Sequence, residues 1–156
     1  MIHKSVIRLT KQFTFESAHA LWNYDGPCRN IHGHSYILFV TVKGVAANEA
    51  DNPKQGMLLD FSDLKRIVNT QVVDIFDHAL IVNANTPHRK LSGNADLGAR
   101  VMAVNYQPTC ENMVVDIAAR ISQALPEHVQ LHSLKLHETA TSFVEWFADD
   151  NPPLAH

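Results

Sequence analysis

The chain has 156 residues, 46% of them apolar and 19% charged, with a formal net charge of −3. That is enough for one domain with a substantial core, and the lack of a basic run excludes nucleic-acid binding driven by charge. No apolar run approaches the roughly 18 residues of a membrane span, the N-terminus lacks the apolar stretch of a signal peptide, and two cysteines make no disulfide framework; together these predict a cytoplasmic protein with reduced thiols.

Residues 5–21 alternate with period two. Ile7, Leu9, Phe13, Phe15, Ser17, His19 and Leu21 fall on one side; Arg8, Thr10, Gln12, Thr14 and Glu16 fall on the other. This predicts a half-buried strand with His19 in phase with the phenylalanines. A polar segment with Gly26 and Pro27 reads as a loop. A second strand follows over 32–43, with His32, His34, Tyr36, Leu38, Val40 and Val42 on one face and Ile37 and Phe39 on the other.

The period then lengthens. Phe61, Leu64, Val68, Val72, Ile75 and Phe76 make one helical stripe, with Asp60 or Ser62 as N-cap. Thr109 caps a second helix in which Met113, Ile117, Ile121 and Leu125 recur every fourth residue. Between the two lies a long connection carrying His88, Arg89 and Lys90. Such length marks either function or mobility. Two strands joined near residues 139–142 complete the chain. The order β-β-α-α-β-β predicts an α+β fold, an antiparallel four-stranded sheet with both helices on one face. It occupies a single domain over 1–148, followed by a frayed tail over 149–156. A four-stranded sheet leaves two edges, which self-association can cover.

The histidines carry the strongest chemical signal. His32 and His34 point the same way on one strand, about 7 Å apart at the backbone. The short loop brings His19 back beside them. Three imidazoles from two adjacent strands, with one position left open, suit a catalytic zinc ion. Taken singly, each is ordinarily a core or turn histidine with a backbone partner.

Cys28, four residues before His32, admits three readings: a fourth ligand, a proton-moving thiol whose pKa the cation lowers, or a buried thiol without a role. Asp77 and His78 follow the first helix. A carboxylate can fix an imidazole's tautomer, but neighbours on a helix do this poorly, so a polar helix end is the plainer account. Glu138 continues the phase of Leu134 and Leu136 and should point inward. An inward carboxylate needs a ligand, such as the N–H and NH2 edge of a pterin-like ring, or a lysine. Thr139 and Thr109 can add hydroxyls nearby.

Taken in order, FESAH, CRNIHGHSY, FDHAL, PTCEN and HETAT resemble the 6-pyruvoyltetrahydropterin synthase family, over nearly the whole chain. The C-x3-H-G-H spacing is similar to that of the bacterial 6-carboxytetrahydropterin synthases of queuosine biosynthesis. The resemblance implies the tunnelling fold, assembled as trimers or dimers of trimers. It implies one zinc per subunit on His19, His32 and His34, Cys28 as catalytic thiol, and Asp77 and His78 supplied by a neighbouring subunit. It also implies a pterin triphosphate substrate anchored by Glu138. The segment after FDHAL is one residue longer than the family pattern, and the connection from Asn83 to Pro108 is considerably longer.

Overall fold

The computed structural model describes residues 4–94, 96 and 100–154. Two long strands, β1 (Val6–His19) and β2 (His32–Val45), pair antiparallel along their whole length, from Val6 opposite Val45 to His19 opposite His32. Their alternation of apolar and polar residues dictates this register, because a slip of one residue would turn Phe13, Phe15, Tyr36 and Leu38 out of the core.

After β2 the chain forms α1 (Phe61–Val68), a π-helical stretch (Asn69–Val73) and one final turn, α2 (Asp74–Phe76). Asp60 caps α1, its Oδ1 accepting from the Ser62 amide at 2.8 Å, while Lys54 Nζ donates to Oδ2 at 2.7 Å. The Lys54 contact is the main reason the Asp60 carboxyl lies well below the usual carboxylate range. The strand β3 (Ala79–Asn83) follows, then β4 (Val101–Val104), α3 (Cys110–Ala124), β5 (Gln130–His137) and β6 (Phe143–Phe147).

Among the described residues, six strands form one sheet in the order β4-β3-β1-β2-β5-β6. The expectation of four antiparallel strands is corrected here. β3 runs parallel to β1 with Ser17 opposite Ala79 and His19 opposite Ile81, and β4 runs parallel to β3, so the sheet is mixed. The two extra strands are too short for their periodicity to show, and β4 lies inside the long connection. The α+β class stands.

The helices cover one face. Leu64, Val68, Val72 and Phe76 from the first helical segment, and Met113, Ile117 and Ile121 from α3, pack with Phe15, Tyr36, Leu38, Val40, Leu134 and Leu136 in one buried cluster. Removing one such side chain to alanine costs about 2–5 kcal/mol. The opposite face keeps Phe143 and Phe147 exposed. Beyond β6, Ala148–Asp150 make a 3-10 turn and Leu154 packs against the core; residues 155 and 156 of the tail lie outside the described residues. Among the described residues, no helix is long and apolar enough to cross a membrane.

Candidate functional site

β1 and β2 end side by side, and their inward phase places His19 directly opposite His32, with His34 opposite Ser17. The ligating atoms of the three histidines lie within 4.8 Å of one another. Gly33 separates His32 from His34; a Cβ there would stand 3.3 Å from the Ser17 carbonyl.

The hydrogen bonds on the far side of the rings fix what the near side offers. His19 Nδ1 is 2.6 Å from the Pro108 carbonyl, and His32 Nδ1 is 2.7 Å from the Asn30 carbonyl. A carbonyl only accepts, so each Nδ1 carries a proton, and each ring, when neutral, turns a bare lone pair outward on Nε2. Those two Nε2 atoms are 3.0 Å apart. Two lone pairs facing each other repel, whereas a cation between them reverses the sign. Burial is the largest influence on His19 and pushes its pKa down, against the pull of the Pro108 carbonyl. His34 Nε2 is buried without a hydrogen-bond partner. Histidines oriented by carbonyls behind them are the usual surroundings of a metal ion, and this cluster is compatible with one.

Glu138 stands at the end of β5, pinned by its amide to the Ser142 carbonyl at 3.1 Å. As expected it points inward, and its Oε1 lies 3.6 Å from both His19 Nε2 and His34 Nε2. No lysine approaches it among the described ion pairs; His19 and His34 are its partners there. Two groups that sequence reasoning left without a role feel its charge. Tyr36, 1% exposed, stacks on Phe15 with ring centroids 5.0 Å apart, and its hydroxyl has no partner. Burial is the main cause that raises its pKa, with the charges of Glu138, Cys110 and Cys28 adding. Cys110 opens α3, its thiol donating to the Leu136 carbonyl at 3.6 Å, and burial pushes it up to about 12. Tyr36 shares the phase of His32 and His34, which is the signal that could have found it.

Cys28 is half-buried in a 3-10 turn (Pro27–Arg29), and its carbonyl accepts from the Leu21 amide at 3.1 Å. It stands outside the histidine cluster. Asp77 and His78 meet just beyond the end of α2. The helix stops at Phe76, and His78 adopts a left-handed φ of 56°. Asp77 Oδ2 then accepts from His78 Nδ1 at 2.8 Å while Oδ1 accepts from the Glu16 amide at 2.8 Å. The Glu16 amide is the first cause holding the Asp77 carboxyl below its usual value. An open cleft of about 540 Å³ has Gly33 and His34 on one wall and His78 and Arg100 on another.

Thr109 is the N-cap of α3, its hydroxyl accepting from the Asn112 amide at 3.3 Å. Thr139 is exposed in the β5–β6 turn, where its Oγ1 accepts from the Thr141 amide. Of the basic patch, Arg89 and Lys90 are exposed, while His88 packs edge-on against Trp22 with centroids 5.1 Å apart. Trp22 begins the loop leading to Cys28, and Gln107 clamps its backbone from both sides.

The family model described as 6-pyruvoyl tetrahydropterin synthase matches residues 8–149. The 6-carboxy-5,6,7,8-tetrahydropterin synthase of Haemophilus influenzae is 33% identical over 143 residues, covering 90% of this chain and 99% of that protein. The protein of the same name from Synechocystis is 32% identical over 145 residues, covering 92% and 95%. The solved structure of Caenorhabditis elegans 6-pyruvoyl tetrahydropterin synthase shares the fold at a TM-score of 0.67 and 20% identity, covering 95% of this chain and 99% of that one. The chain belongs to the 6-pyruvoyl tetrahydropterin synthase family.

Proposed function

We propose that this enzyme is a zinc-dependent lyase that converts 7,8-dihydroneopterin triphosphate and one water to 6-carboxy-5,6,7,8-tetrahydropterin, acetaldehyde and triphosphate. The observation that carries the reading is the convergence of His19, His32 and His34, with Cys28 outside the cluster, in a chain similar to proteins named for this product. His19, His32 and His34 hold the ion, one per subunit. When bound, it supplies Lewis acidity toward the oxygens of the substrate side chain.

The protein's own groups do the rest. Cys28, as thiolate, takes a proton from the side-chain carbon beside the ring. The contact between Asp77 Oδ2 and His78 Nδ1 leaves His78 Nε2 as the free nitrogen, which suits it to pass that proton on. The His78 side chain is 74% exposed, available to the site of a second copy. Assembly as trimers, or dimers of trimers, would bring Asp77 and His78 to a neighbour's Cys28 and cover the edge strands β4 and β6. Glu138 offers two acceptor oxygens to the N–H and NH2 edge of the pterin ring, with Thr139 and Thr109 as flanking hydroxyls. Fixing the ring in this way positions the side chain for reaction, an effect that can be large.

The second reading is elimination of triphosphate alone, giving the pyruvoyl product; the matching family bears that name. The deciding experiment is anaerobic incubation of zinc-loaded protein with 7,8-dihydroneopterin triphosphate. Acetaldehyde together with the carboxy-pterin mass supports the lyase. The pyruvoyl-pterin mass without acetaldehyde supports the sister reaction. If neither forms while zinc stays bound, the protein is a pterin- or metal-binding module.

A further inference from the structure

Glu138 is placed as a metal ligand would be. Its Oε1 is 3.6 Å from the Nε2 atoms of both His19 and His34. Two donors, each about 2.1 Å from one tetrahedral ion, stand roughly 3.4 Å apart. An anionic oxygen beside the bare lone pair of His19, whose proton is spent on Pro108, is repulsive unless a cation lies between them. Three histidines also leave one vertex of a tetrahedron unfilled. The backbone of Glu138 is fixed by the Ser142 carbonyl, and its side chain, 28% exposed, has room to turn.

We propose that Glu138 is the fourth ligand of the metal while the site is empty of substrate, and that a docking pterin ring draws the carboxylate away and opens that vertex. The second half rests on the pterin reading above; the first does not. The exchange is a ligand substitution: the carboxylate leaves the ion, an oxygen of the substrate side chain enters, and no redox change occurs. The consequence is gating. The Lewis acid is closed to adventitious oxygen ligands until the ring edge that Glu138 recognises has arrived.

The test uses the full-length protein, titrated with Zn2+ alone and, separately, loaded with Co2+ so that the absorption of the ion reports its ligands. Glu138→Gln should bind Zn2+ about 10- to 100-fold more weakly, as losses around such sites do, and its Co2+ bands should differ from the wild type. Glu138→Asp, which keeps a carboxylate on a shorter arm, serves with circular dichroism as the control for folding and should fall between the two. Pterin itself, a ring with no side chain to react, should shift the wild-type Co2+ bands toward those of Glu138→Gln and leave the variant's unchanged.

Equal Zn2+ affinity and superimposable Co2+ spectra in wild type and Glu138→Gln would overturn ligation, whatever the protein's turnover. Weakened Zn2+ binding in Glu138→Gln with a wild-type spectrum indifferent to pterin would uphold ligation and overturn displacement. If turnover of the pterin triphosphate is also absent, the functional reading fails separately.

Discussion

The carboxylate of Asp77 holds the ring of the very next residue, His78, at 2.8 Å. Neighbours on a helix diverge, and this pair meets only because Asp77 is extended and His78 left-handed. A left-handed backbone costs a non-glycine residue about 1–2 kcal/mol. Replacing His78 by glycine should therefore leave stability within about 1 kcal/mol of wild type, in spite of glycine's extra freedom when unfolded. Turnover should fall about 10²- to 10⁴-fold, the usual reach of a proton-transferring group. Urea melts beside product assays would check this; a large loss of stability would mean that the ring itself holds the turn.

Thr109 serves two accounts, a helix cap and a substrate hydroxyl. Thr109→Ala should lose about 1 kcal/mol of stability, as N-caps do, and Thr109→Ser should restore it. If the hydroxyl also contacts substrate, Thr109→Ala will raise KM; an unchanged KM assigns it to the cap alone. Thermal melts with steady-state kinetics separate the two.

The two thiols should part sharply. Cys110 is 5% exposed and should resist iodoacetamide until the protein unfolds, while half-buried Cys28 is alkylated and turnover lost with zinc retained. Cys110 also gives a pH dependence. Burial raises its pKa from the ordinary thiol value of 9.0 to about 12 in the fold. Above pH 9 the unfolded chain loses this proton while the folded one keeps it. Stability should thus fall between pH 9 and pH 12, by at most about 1.4 kcal/mol per pH unit from this group. In Cys110→Ala the same stretch of the stability–pH curve should be shallower; identical slopes in both proteins would refute the assignment.

Tyr36 carries a buried hydroxyl with no partner. Such a group ordinarily costs about 1–3 kcal/mol. Tyr36→Phe should consequently match or exceed the wild type in melting temperature, since the stack on Phe15 survives. A marked drop would reveal a partner for the hydroxyl in the assembled protein.

Much of this site is legible in the sequence because strands report the direction of side chains. Period two sets His19 with Phe15, and His32 with His34, and the antiparallel pairing of the two strands brings the three together. Glu138 is readable by the same rule. The limits are equally physical. ALIVN after the first helix is four apolar residues and an asparagine, as compatible with a helix end as with a strand, so β3 and its partner β4 escape. The contact of Asp77 with His78 depends on a backbone angle that no pattern of residue types announces. The carbonyls of Pro108 and Asn30, which decide what the histidines offer, belong to residues with no chemistry of their own.

The parallel pairing of β3 with β4 bears on how this protein can change. Parallel neighbours cannot be joined by a tight turn, so the chain between them must travel back outside the sheet to begin again at the same end. Lengthening this return path costs only about 0.6 kcal/mol for each doubling, and none of the three histidines sits on it. Descendants can therefore lengthen or recompose this strap, altering what surrounds the cleft, without disturbing the register that brings the imidazoles together.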